Sequence, residues 1–171
     1  MRSLWVALLV LCTAARADGM GIGTAASEDL VRAWNIDIAP DGKGLPPGEG
    51  SVARGAQLYA ERCSPCHGRS GEGKPDDRLT GGRGTLASNA PLKTVGSYWP
   101  YATTLFDYVR RAMPFNAPQS LADEEVYSLV AYLLYLNGIV GADAVMDAHS
   151  LPATQMPNRG GFISDPRPDT R

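Results

Sequence analysis

Cys63-Ser64-Pro65-Cys66-His67 is the stretch of this sequence whose residue types and spacing dictate a chemistry. Two thiols three positions apart sit about one helical turn from each other, and an imidazole follows the second directly. This C-x-x-C-H pattern is that of covalent c-type haem attachment. The thiols reach two vinyl groups on one edge of the macrocycle and form thioethers, and the imidazole ligates the iron through a ring nitrogen. A redox dithiol also uses C-x-x-C, but in a βαβ setting, and the flanks here read as helix and loop. A zinc site needs four ligands, and the other histidine, His149, has no partner motif. One covalently bound haem c is therefore the expected cofactor. Cys63 and Cys66 are its anchors and His67 is an iron ligand.

A six-coordinate iron needs a second axial ligand. The candidates are Met20, Met113, Met146, Met156 and His149. Met113 follows a helical stretch and precedes Pro114, which turns the chain and frees the thioether to point back across the loop. It also precedes the last long helix, so Met113 is the expected ligand. Met156-Pro157 is the second such dipeptide but lies beyond the core. A thioether ligand raises the potential relative to a second imidazole, and a filled sixth position favours electron transfer over catalysis at iron. Tyr98, Trp99 and Tyr101 are candidates for lining the haem pocket, where a Tyr OH or Trp NH could reach a propionate; ordinary core packing is the alternative. Arg110-Arg111 could neutralise a propionate, meet an acidic partner, or simply form a solvated helix face. Pro75 is expected to offer a carbonyl region to the His67 ring N–H, which fixes the tautomer of a ligating histidine.

These residues need elements to position them. A helix over Gly55–Arg62 leads into Cys63. A second, Thr103–Ala112, carries Leu105, Tyr108, Val109 and Ala112 at i, i+3, i+4 and i+7 and stops before Pro114. The strongest helix is Leu121–Asn137, with Val126, Leu129, Val130, Leu133 and Leu134 as its stripe and Gly138 as its C′ residue. Ala122 stands where a capping Ser or Thr would suit its start. Gly55 and Tyr59 with Tyr132 and Tyr135 read as a close helix crossing. Gly68 to Tyr98 is a long loop; loops of that length are uncommon unless they serve a function, and wrapping a large apolar cofactor is one. Glu28–Ile38 has enough apolar residues for one short helix or strand.

Met1 to Ala17 reads as a secretory signal: a short basic start, nine apolar residues from Leu4 to Cys12, and Ala15-Arg16-Ala17 for cleavage. Nine residues are too few to span a bilayer, which takes about 20, so no membrane anchor is expected. Export places the chain in the periplasm. The expected organisation is signal peptide 1–17, N-terminal arm 18–49, cytochrome domain 50–140 and C-terminal arm 141–171. The 171 residues carry 16 Lys+Arg against 18 Asp+Glu, a net charge of −2. That balance lacks the concentrated basic face of a nucleic-acid binder. Of three Cys, Cys12 would leave with the signal. The fold class expected is all-α: three to five helices and a long loop around one haem, with extended arms.

The core residues resemble a class I c-type cytochrome, on Cys63-Ser64-Pro65-Cys66-His67 and Met113. Ile38–Gly55 (IAPDGKGLPPGEGSVARG), Thr94–Leu121 (TVGSYWPYATTLFDYVRRAMPFNAPQSL), Glu124–Val140 (EEVYSLVAYLLYLNGIV) and Met156–Ile163 (MPNRGGFI) are similar to the cytochrome c subunits of periplasmic sulfite and sulfur dehydrogenases. The resemblance implies an electron-transfer protein rather than an enzyme on its own. Its donor would be a molybdenum-cofactor subunit that oxidises a sulfur compound, and its acceptor a downstream cytochrome c or oxidase. Some members of that family carry a second haem; one C-x-x-C-H occurs here. Two other readings remain: a free electron carrier for another dehydrogenase or oxidase, and an enzyme or gas sensor with an open haem site.

Overall fold

The computed structural model describes residues 23–167. The expected signal peptide, Cys12 and Met20 lie outside the described residues. The chain divides into two units between Trp34 and Asn35. In the first, helix α1 (Glu28–Trp34) starts where Ser27 Oγ accepts from the Leu30 N–H at 3.2 Å. Its apolar side chains Leu30, Val31 and Trp34 are exposed.

In the second unit the order is β1 (Glu49–Ser51), α2 (Val52–Arg62), α3 (Ser64–His67), α4 (Ala102–Ala112), α5 (Asp123–Leu136), β2 (Val145–Asp147) and α6 (Ser150–Ala153). No regular element interrupts the stretch from Gly68 to Tyr101. The helix α5 is the centre. All five of its expected stripe residues are buried, and so are Tyr127, Ser128 and Ala131, because α2, α4 and both strands pack on it from different sides. It ends as its sequence requires: Gly138, at φ +65°, donates to the Tyr135 carbonyl, and Ile139 donates to Leu134. This Schellman arrangement satisfies the last carbonyls. At its start Ala122 offers no side-chain cap, but Glu125 Oε2 reaches back to accept the Ala122 N–H at 3.0 Å.

Helix α2 starts three residues earlier than its periodicity predicts, because Ser51 Oγ accepts from the Arg54 N–H at 3.2 Å and caps it. Its buried residues Val52, Gly55, Leu58 and Tyr59 share one face. Where that face crosses α5, a Cβ on Gly55 would stand 1.9 Å from the Ser128 carbonyl oxygen and 2.7 Å from Tyr132 Cβ. Only glycine permits that approach. The Tyr59 and Tyr132 rings meet beside it with centroids 5.3 Å apart, so the expected crossing is present.

The face of α4 is rotated from its predicted stripe. Leu105 and Val109 are buried, but Tyr108 is 46% exposed. Phe106 takes its place inside, against Tyr127 of α5 at 4.5 Å between ring centroids.

Both regions read as arms contribute to the core. On the N-terminal side, the Ile38 N–H donates to Asp107 at 3.1 Å, Thr103 Oγ1 to the Pro40 carbonyl at 3.1 Å, and the Tyr127 hydroxyl to the Pro46 carbonyl at 2.8 Å. On the C-terminal side, β2 pairs antiparallel with β1, Gly50 opposite Met146. Met146, Leu151 and Met156 are buried. Burial pushes the Tyr127 hydroxyl pKa up to about 12, with the Asp147 and Asp123 carboxylates adding to it.

Candidate functional site

The C-x-x-C-H segment is wound into helix. Cys63 is the C-cap of α2, its N–H donating to the Tyr59 carbonyl, and α3 begins at the next residue with Pro65 in its first turn. Pro is tolerated there because the first N–H groups have no intrahelical partner. The His67 and Cys66 N–H groups both bond to the Cys63 carbonyl, at 3.0 and 3.2 Å. The two thiols thus lie one turn apart, and His67 follows on the adjacent position.

The chain then curls back under the histidine. The Gly73 N–H donates to the His67 carbonyl at 2.8 Å and the Asp76 N–H to Cys66 at 3.0 Å. This brings the Asp77 carbonyl oxygen to 2.8 Å from His67 Nδ1. A carbonyl accepts only, so Nδ1 carries the proton and the Nε2 lone pair is left free for a metal. The expected partner was the Pro75 region; the structure uses Asp77, two residues on. No side-chain signature could have marked it, because the acceptor is backbone. The Tyr59 hydroxyl donates to the Gly68 carbonyl at 2.9 Å, which ties the residue after His67 to α2. Burial pushes the Tyr59 pKa upward, with the neighbouring Cys63 and Glu72 adding to it.

The thiols are not poised as nucleophiles. Burial raises Cys63 to about 11, Cys66 adds to that, and Arg62 opposes it. Cys66 is raised too, chiefly by the neighbouring Asp76 carboxylate. A redox dithiol lowers the pKa of its attacking cysteine, so both shifts have the wrong sign for that chemistry. Among the described residues, no group of three or more His, Cys, Asp or Glu side chains could hold a metal ion.

Met113 is the C-cap of α4. Its backbone is extended, as expected before a proline, and its N–H closes the helix on the Val109 carbonyl. Met113, Cys63 and Trp99 come from three separate segments, and each is half-buried against the same apolar core. Of the other candidate ligands, Met146 and Met156 are buried among core residues, and His149 is exposed at the start of α6.

The three aromatic candidates separate. Trp99 packs on the core, edge-on to Tyr108 at 5.6 Å. Tyr98 turns toward Phe162 at 5.2 Å, with Lys93 Nζ over its ring. Tyr101 lies under the Arg159 guanidinium at 4.6 Å. Arg110 and Arg111 are ion-paired within the chain: Arg110 with Asp123 at 3.2 Å, and the more exposed Arg111 with Asp107 and Asp37, each at 2.8 Å.

Two adjacent thiols, an imidazole with Nδ1 committed and Nε2 free, and a thioether on the same core form a donor set that fits a covalently held haem. The cytochrome c family model matches residues 52–137, a stretch that contains Cys63, Cys66, His67 and Met113. The chain belongs to the cytochrome c family. It has the class I fold, and its cofactor is haem c. It is similar to a chain in the crystal structure of the sulfane dehydrogenase SoxCD from Paracoccus pantotrophus, with 43% identity and a TM-score of 0.81 over 87% of this chain and 74% of that one. It is also similar to the thiosulfate dehydrogenases of Psychrobacter arcticus, 29% identical over 103 residues, and Stutzerimonas stutzeri, 30% over 115 residues. Each of these matches takes in 58% of this chain. The chain spans about a third of the length of these two relatives, 31% and 35%. It is thus a cytochrome c domain related to proteins of sulfur-compound oxidation.

Proposed function

We propose that this chain is the periplasmic monohaem electron carrier of a sulfur-compound dehydrogenase. It accepts electrons from a molybdenum-containing subunit that oxidises sulfite or a related sulfur compound and passes them to a downstream cytochrome c or oxidase. The observation that carries this reading is the 43% identity to the SoxCD chain over 87% of this one, which reaches beyond the haem-binding core into both flanking regions. Haem, when bound, supplies one-electron redox chemistry. Cys63 and Cys66 would anchor it, His67 Nε2 and the Met113 sulfur would hold its iron, and Trp99 would wall the pocket. The Asp77 carbonyl holds the His67 proton on Nδ1 and so keeps Nε2 available. With an imidazole and a thioether both holding the iron, the protein's work would be to set the potential and exclude other ligands.

The test is a reduction assay on the complex co-purified from the native organism. Sulfite, or the sulfur substrate of the complex, should reduce the haem at the rate of substrate oxidation. Purification without any molybdenum protein would sink the subunit reading and leave a free carrier. Met113→Ala should abolish the weak long-wavelength band of methionine-ligated ferric haem and admit carbon monoxide to the ferrous protein at once. An unchanged spectrum would remove Met113 as ligand. N-terminal sequencing of the mature protein should start at Asp18.

A further inference from the structure

The segment that bears Met113 has little holding it. From Met113 to Ala122 the chain is irregular. Phe115 is 88% exposed, and Leu121 is the segment's buried apolar side chain. The only backbone hydrogen bond within it runs from the Ala117 N–H to the Pro114 carbonyl. Its two ends are joined by a side-chain pair: Arg110 Nε on the last turn of α4 lies 3.2 Å from Asp123 Oδ1, the first residue of α5. The two side chains are only 24% and 34% exposed, so this is not a freely solvated surface pair, whose contribution is usually slight.

We infer that the Arg110–Asp123 pair is a latch, and that both are positioning residues for the methionine ligand. The inference rests on Met113 being that ligand. The latch closes the segment into a loop of fixed span, so that Met113, at its start, cannot swing away without the pair opening. Arg111 assists from the other side. It bonds Asp107 one turn back and Asp37 of the N-terminal segment, and so holds the last turn of α4 against rotation. Two arginines that read as a solvated face, or as partners for a propionate or another protein, are committed within the chain.

The experiment uses the holoprotein with Arg110→Gln, Asp123→Asn and the double variant. Three readouts serve: carbon monoxide binding to the ferrous form, the temperature at which the long-wavelength ferric band fades, and amide exchange across residues 115–122. Each single variant should bind carbon monoxide about five-fold faster, the factor that corresponds to about 1 kcal/mol. Each should also lose the band at lower temperature and exchange faster in that segment alone. The double variant should be no worse than either single, as a coupled pair requires, and Arg110→Lys should recover most of the effect. Glu124→Gln is the control, since it removes a first-turn carboxylate of α5 but not the latch. If Glu124→Gln matches Asp123→Asn, or if the latch variants keep the parent's binding rate and exchange, the latch is wrong. If instead Met113→Ala retains the band, the ligand assignment itself has failed, and the two failures are told apart.

Discussion

Gly55→Ala tests whether the α2–α5 crossing sets the position of the haem-attachment segment. The added Cβ would lie 1.9 Å from the Ser128 carbonyl oxygen, 2.6 Å from its carbon and 2.7 Å from Tyr132 Cβ. Two of those three atoms are backbone of a central helix, so no side chain can rotate away and the helices must separate. Overpacking of this kind costs about 1–3 kcal/mol; contact with backbone puts it at the upper end. Alanine returns about 1 kcal/mol of helix propensity, leaving a net loss of about 2 kcal/mol. For a chain of this size that is a fall in Tm of about 4–8 °C. Ala53→Gly, on the exposed side of α2, measures the propensity term in the same helix, so the steric part can be read by itself. The assay is thermal unfolding of the holoprotein by circular dichroism, with the haem spectrum followed in parallel. A Tm equal to or above the parent's in Gly55→Ala would refute the argument, because it would mean that the crossing tolerates a methyl group.

Two further outcomes are expected. Asp147 is held below the usual carboxylate value, chiefly by the Ser150 N–H and hydroxyl and also by the His149 N–H. A carboxylate with a depressed pKa contributes stability above its ordinary value of 3.8 and loses it as pH falls through the lower value it takes in the fold. Asp147→Asn should therefore lower Tm near neutral pH, and its gap to the parent should close as the solution is acidified below that range; a gap constant with pH would remove the linkage. Ala122→Ser should supply the missing side-chain cap of α5, whose N-cap backbone is already extended at φ −68° and ψ 156°, and raise stability by about 1 kcal/mol in chemical denaturation.

The parts of the site that could be read in the sequence are those written in contiguous residues. Cys63, Cys66 and His67 announce themselves by spacing; Met113 is the proposed ligand by its place between a helix and a proline. Helix α5 was legible because its apolar residues keep a 3.6 period from Val126 to Leu134, about two and a half turns. The face of α4 was not, since Tyr108 and Phe106 are both aromatic and only contact with Tyr127 decides which is inside. Residues 141–157 lack a period because β2 and α6 are three and four residues long; Met146, Leu151 and Met156 each enter the core singly. The acceptor for His67 is a backbone carbonyl, which any residue type supplies. Asp107 stands four residues before Arg111, a local helical pair, but Asp123 lies 13 residues beyond Arg110 and Asp37 lies 74 before Arg111, and local pattern carries no information at such separations.

The same division explains how the donor set is held. Cys63 caps α2 and Met113 caps α4, so two of the four proposed donors sit at the ends of different helices, with the other two in the short helix α3 that follows α2. Neither helix positions the other. Both lie against α5, α2 through the Gly55–Ser128 approach and α4 through Phe106 on Tyr127, while α5 contributes no donor. The helix with the most buried residues is thus the frame that both ligand-bearing helices share. Burial on several sides gives α5 a fixed position, and that fixes the distance between attachment segment and methionine. A small-to-large change on α5 should disturb both ends of the donor set together, whereas a change on α2 or α4 should disturb one.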